Sequence, residues 1–119
     1  MSGVTTHVLD LTHGLPADHV AIDLYYTEPS SESSQLIKTA VTNSDGRLDQ
    51  PLLSEEEVRP GRYELVFHIG DYFRSKRIQP HNPAFLEDVP VRFYILQTNR
   101  HYHVPLLISP YGYQIYRGS

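Results

Sequence analysis

Seven short stretches of this chain alternate apolar and polar residues with a period of two, and that repetition limits the possible folds more than any other feature. The runs are Thr5 to Leu11, Val20 to Thr27, Leu36 to Asn43, Tyr63 to Ile69, Val91 to Thr98, His101 to Ile108 and Tyr111 to Arg117. Successive side chains of a strand point to opposite faces, so each run reads as a strand with one buried side. Val20, Ile22, Leu24 and Tyr26 make one such face, and Tyr63, Leu65, Phe67 and Ile69 make another. A length of 119 residues suits one core, so residues 1–119 are expected to form a single all-β domain, a two-sheet sandwich of about eight strands. One short helix is expected from Gly70-Asp71 onward, with Asp71 as its N-cap. Ser109-Pro110-Tyr111-Gly112 places Pro second and Gly fourth, as a type I turn favours, which predicts a hairpin between the last two strands.

Composition narrows the chemistry. The absence of cysteine excludes disulfides, thiolate nucleophiles and cysteine-ligated zinc, which leaves seven His with Arg, Ser, Tyr and carboxylates. A formal charge of −4 argues against a nucleic-acid partner. All fourteen acidic residues lie at or before Asp88, where seven basic residues leave −7, whereas the last 31 residues carry only Arg92, Arg100 and Arg117. That asymmetry is compatible with a site for an anionic small molecule. No apolar run is long enough to span a bilayer, and neither a signal peptide nor a lipidation motif is visible, so a cytoplasmic protein without membrane association is expected.

The strand from His101 to Ile108 has an unusual outer face. Alternation sends Tyr102, Val104, Leu106 and Ile108 to the core and leaves His101, His103, Pro105 and Leu107 on the other side. A solvent face would ordinarily carry Lys, Glu or Thr, so something is expected to cover this one. His7 and Leu9 share a face of the same mixed character, and Gln114 and Tyr116 are expected beside the His pair. His13, His19, His68 and His81 have no identifiable partners and read as surface or structural groups. For His101 and His103 three readings stand: an exposed strand pair, a three-histidine zinc site completed by His7, or direct acid and base catalysis by imidazoles that titrate near neutrality. Spacing does not separate them.

Four segments in order also resemble a known family. Thr6-His7-Val8-Leu9-Asp10 with Gly14-Leu15-Pro16-Ala17, then Thr42-Asn43-Ser44-Asp45-Gly46-Arg47, then His101-Tyr102-His103-Val104-Pro105-Leu106-Leu107 with Ser109-Pro110-Tyr111-Gly112-Tyr113, and finally Tyr116-Arg117-Gly118-Ser119 are similar to the signatures of the transthyretin-related 5-hydroxyisourate hydrolases. Departures are few: Leu11 replaces a usual Thr, and Gln114-Ile115 replaces a usual Ser-Thr.

The resemblance implies a transthyretin-like sandwich that hydrolyses 5-hydroxyisourate to 2-oxo-4-hydroxy-4-carboxy-5-ureidoimidazoline in urate degradation, without metal or organic cofactor. It carries a catalytic role onto His7, Arg47, His103 and Ser119, and substrate binding onto His7, Arg47, His103, Tyr116, Arg117 and Gly118; His101 is outside that set. It further implies a homotetramer with active sites where two dimers meet. Two other functions compete: a ligand carrier, since transthyretin binds hormone in this fold without catalysis, and a zinc-dependent cyclic-amide hydrolase. A carrier has no need of His7, Arg47, His103 and the terminal tetrapeptide together.

Overall fold

The computed structural model describes residues 3–78 and 80–118. Eight strands run in chain order: β1 (Gly3–Asp10), β2 (Leu15–Pro16), β3 (Ala21–Thr27), β4 (Gln35–Val41), β5 (Gly61–Phe67), β6 (Val89–Ile95), β7 (His101–Ser109) and β8 (Gly112–Ile115). One helix, α1 (Ile69–Ser75), follows β5. The strands form two four-stranded sheets, ordered β2-β1-β7-β8 and β4-β3-β5-β6. Seven of the strands answer to the alternating runs, and β2, only two residues long, carries no pattern to announce it.

The inner faces follow from that alternation. Val4, Val8, Tyr102, Val104, Leu106 and Ile108 from the first sheet meet Ile22, Leu24, Tyr63, Leu65, Phe67 and Val91 from the second, all buried. Removing such side chains from water is the main stabilising contribution, roughly 1.5–3 kcal/mol for each large one. Two polar residues also sit inward on β1. The Thr6 hydroxyl donates to the Val104 carbonyl at 2.7 Å, which cancels the cost of burying it. Asp10 is fully buried at the end of the strand and accepts from the amides of Thr12 and His13, from His13 Nδ1 and from the Tyr72 hydroxyl. Burial alone would raise the Asp10 pKa, but these hydrogen bonds outweigh it and hold the carboxyl below its ordinary value.

The structure corrects several boundaries. The sixth strand begins at Val89, two residues earlier than the pattern places it, and therefore includes Pro90. A proline lacks the amide for an inner ladder, yet β6 is an edge strand and tolerates it. The helix begins at Ile69, with His68 rather than Asp71 at the N-cap position. Asp71 instead lies in the first turn and accepts from Arg74 Nη2 at 2.8 Å. Ile69, read as the end of a strand face, is buried as the first helical residue. The turn at Ser109 to Gly112 forms as expected, and Ser109 pairs with Gly112 across the β7–β8 hairpin.

Three of the four histidines set aside in the sequence also have partners. His13 binds Asp10, and His19 lies 3.6 Å from Asp18. His68 bridges Asp23 and Asp88, each at 2.8 Å. These contacts join strand ends and loops and keep the three residues in structural roles.

Candidate active site

β1 and β7 run parallel, and their register decides what the outer face of the first sheet presents. Thr5 lies opposite His103 and His7 opposite Pro105, with Leu9 opposite Leu107. Even-numbered residues of β1 face the core, so Thr5, His7 and Leu9 emerge on the same side as His101, His103, Pro105 and Leu107. The His101 and His103 rings stack with centroids 6.4 Å apart and planes 13° from parallel. Between them sits the Thr5 hydroxyl, 2.8 Å from His103 Nδ1 and 3.1 Å from His101 Nε2. His101, absent from the expected catalytic set, is thus tied to His103 through Thr5.

Arg47 reaches this face from a loop that the sequence shapes closely. The Thr42 hydroxyl donates to the Ala17 carbonyl and accepts from the Val20 amide, which anchors the loop at the end of β4. Asn43 Oδ1 then accepts from the amides of Asp45 and Arg47, the side-chain turn to which Asn is suited. Gly46 follows with φ +72°, and a Cβ there would lie 2.4 Å from the Val8 carbonyl oxygen. Only glycine permits both that backbone and that approach. The loop therefore lies against β1, where the Val8 amide donates to the Gly46 carbonyl at 2.8 Å. The same contact sets the Asp45 carbonyl 2.9 Å from His7 Nε2. Thr5 and Arg47 line a cleft of about 240 Å³ together with Thr6, Leu48, Asp49 and Pro51.

The electrostatics unite these residues. Burial lowers the His7 pKa, the Arg47 charge lowers it further, and the bond to Asp45 only partly opposes them. Burial likewise depresses His103, with Arg47, His101 and His7 all acting in the same direction. Both shifts favour the neutral imidazole. The Arg47 guanidinium, exposed on the loop, supplies the positive charge beside them.

The carboxy-terminal segment divides. The Gly118 amide donates to the His103 carbonyl at 2.8 Å, so this residue joins the cluster. Arg117 does not: its guanidinium stacks over the Tyr102 ring at 4.3 Å and donates to the His101 carbonyl. With Tyr116 it lines a separate groove of about 280 Å³ where the sheet edges β6 and β8 approach. β8 ends at Ile115, so the alternation that would have carried Tyr116 to the imidazole face stops one residue short. Gln114, opposite Leu107, does lie on the outer face. Ser119 is outside the described residues. Among the described residues, no three His, Asp or Glu side chains converge as a metal-binding group.

Sequence reading overlooked Thr5 and Asp45. Thr5 shares a strand face with His7 two residues on, so alternation places the pair together, but nothing local marks the hydroxyl as a partner of His103. Asp45 contributes only its backbone carbonyl, which no side-chain motif reveals.

The chain is similar to known proteins along its whole length. The 5-hydroxyisourate hydrolase of Pseudomonas aeruginosa is 53% identical over 119 residues, covering 100% of this chain and 93% of its own. The 5-hydroxyisourate hydrolase 2 of Rhizobium meliloti is 56% identical over 116 residues, covering 98% of this chain and 95% of its own. Among solved structures, sea bream transthyretin in complex with thyroxine superimposes with a TM-score of 0.85 at 26% identity, covering 97% of this chain and 93% of that one. Residues 4–118 match the model of the HIUase/Transthyretin family, and with relatives this similar along the full length, the chain belongs to that family.

Proposed function

We propose that the protein hydrolyses 5-hydroxyisourate, opening one amide bond of its six-membered ring, on the surface formed by His7, Arg47, His103 and the carboxy-terminal residues. The activity is that of the hydrolases to which the chain is more than half identical. The observation that carries the site is the β1–β7 register, which puts His7 and His103 on one outer face, with the loop that bears Arg47 fastened to β1 beside them. A hormone carrier of this fold has no use for such a pair.

The hydrogen bonds suggest how the work is divided. A carbonyl oxygen only accepts, so the contact with Asp45 requires a proton on His7 Nε2 and leaves Nδ1 unprotonated in the neutral ring. His7 Nδ1 takes a proton from water as the water oxygen bonds to the ring carbonyl carbon. When the carbon–nitrogen bond breaks, the same imidazolium returns that proton to the departing nitrogen, so His7 ends as it began. Arg47 holds substrate oxygens and stabilises the negative charge of the tetrahedral intermediate. Ser119 keeps its proposed catalytic role, and Gly118 borders the binding surface beside His103.

The active protein is a homotetramer of the cytoplasm, with its sites where two dimers meet. Leu9 and Leu107 support this, because, half-buried beside His7 and His103, they leave apolar surface on the outer sheet face that a neighbouring subunit would cover.

Mixing the purified protein with freshly generated 5-hydroxyisourate tests the activity. Absorbance should decay faster than in the spontaneous reaction; an unchanged rate would return the carrier reading to first place. Loss of activity to a chelator, restored by zinc, would favour metal-dependent hydrolysis instead. Light scattering should report four subunits, and a monodisperse monomer would overturn the shared site.

A further inference from the structure

The Thr5 hydroxyl carries one proton and finds no acceptor for it among the described residues other than the two ring nitrogens beside it, so using that proton makes it donate to one and accept from the other. Two arrangements satisfy that condition, and they give His103 opposite chemical characters. In the first, Thr5 donates to His101 Nε2 and accepts from His103 Nδ1–H, which leaves His103 Nε2 a bare lone pair able to act as a base. In the second, His101 Nε2–H donates to Thr5, Thr5 donates to His103 Nδ1, and His103 Nε2 carries the proton.

His101 decides between them. Its Nδ1 is buried and has no hydrogen-bond partner among the described residues. The first arrangement puts a proton on that atom and so buries an unmatched N–H donor. The second leaves only an unmatched acceptor there, the more tolerated of the two defects in folded proteins. Building on the hydrolase reading, we propose that Thr5 and His101 are positioning residues that lock His103 as a neutral Nε2–H hydrogen-bond donor, so that it serves the developing oxyanion and not as a second general base.

The surroundings of His103 fit this role. Arg47, His101 and His7 all disfavour positive charge on its ring, against a smaller opposing effect of the Thr5 backbone. A neutral imidazole can still polarise a carbonyl through its N–H without giving up the proton, so the ring starts and finishes the cycle in one state. Gly118 packs against Cδ2, the ring carbon bonded to Nε2, and a Cβ there would lie 2.7 Å from it. The tail thus borders the edge of the ring from which the proposed donor projects. The arrangement also removes an ambiguity in the reaction: His7 alone moves the proton, and His103 holds charge.

Nitrogen-15 NMR of histidine-labelled whole protein near pH 7.5 reads the tautomer directly, with the His103 signals identified by their loss in His103→Gln. The expected spectrum has the proton on Nε2 and a lone pair on Nδ1. A proton on Nδ1 would overturn the proposal whatever the activity. Thr5→Val keeps the β-branched shape but removes the hydroxyl; kcat should fall about tenfold or more with KM nearly unchanged, and the His103 spectrum should become a mixture of tautomers. Thr5→Ser should restore both. A Thr5→Val protein that matches wild type in rate and spectrum would sink the relay. If Thr5→Val does not fold, the wild-type spectrum decides alone. A wild-type protein inert toward 5-hydroxyisourate would refute the hydrolase reading separately, because the tautomer is measured without turnover.

Discussion

The α-carbon of Gly118 stands against the imidazole of His103, close enough that an added methyl group would meet Cδ2 at 2.7 Å, while the Gly118 amide donates to the carbonyl of that same residue. Gly118 is therefore fastened to a central strand of its sheet. Gly118 lacks the positive φ found at Gly46, so glycine is required here for close approach to the ring and not for its backbone angle.

Gly118→Ala should consequently displace the His103 ring and cut turnover by roughly tenfold or more, with little change in melting temperature because no core side chain is altered. Deleting Gly118 and Ser119 should lower turnover further while leaving the proposed tetramer intact. Steady-state rates, thermal melts and light scattering on the two variants check this. A truncated protein with normal turnover would reduce the tail to a sequence marker.

Arg47 should influence rate and pH dependence together. Arg47→Gln is expected to lower turnover by about a hundredfold through lost oxyanion stabilisation. The charge of Arg47 also opposes protonation of His7 and His103, so removing it raises both pKa values. In wild type the acid limb of the kcat/KM profile should lie below the ordinary histidine range; in the variant it should move to higher pH. A limb that stays in place would mean that Arg47 does not act on the ionising imidazole.

His103→Ala should reduce turnover by about a hundredfold or more, and His101→Ala by only about tenfold, because Thr5 still reaches His103 but has lost the ring that fixes the direction of its proton. The comparison requires only initial rates and circular dichroism to confirm folding. Equal losses at the two positions, accompanied by sensitivity to chelator, would point to shared metal ligation.

His68 offers a test of stability away from the site. Burial would lower its pKa, but the bonds to Asp23 and Asp88 and their charges outweigh burial and raise it. The folded-state value therefore lies above the unfolded one, so the stabilisation is fully present below the unfolded pKa and fades as pH rises through the folded pKa. Urea unfolding of wild type and His68→Gln should show a larger wild-type advantage at pH 5.5 than at pH 8.5. An advantage that grows with pH would contradict the charged-pair account.

The sequence by itself determined which face of each major strand is buried. Tyr102, Val104, Leu106 and Ile108 follow from a period of two, as do Ile22, Leu24 and Tyr26, because alternation is a property of the local backbone. The β7–β8 turn was equally legible, being written in the consecutive residues Ser109 to Gly112. Likeness to known signatures brought forward His7, Arg47 and His103, without saying how they meet. Tertiary structure decided what those residues touch. Thr5 and His103 are 98 positions apart and become partners only because β1 lies parallel to β7 in one register. Asp10 and Tyr72 are separated by 62 positions, and His68 and Asp23 by 45, so each pair is set by where a strand end, a loop or the helix docks. Arg117 turned away from the imidazoles because β8 ended at Ile115 and the Tyr102 ring offered its cation a face. Local pattern assigns a side chain to a surface; only the order and register of the strands supplies its neighbour.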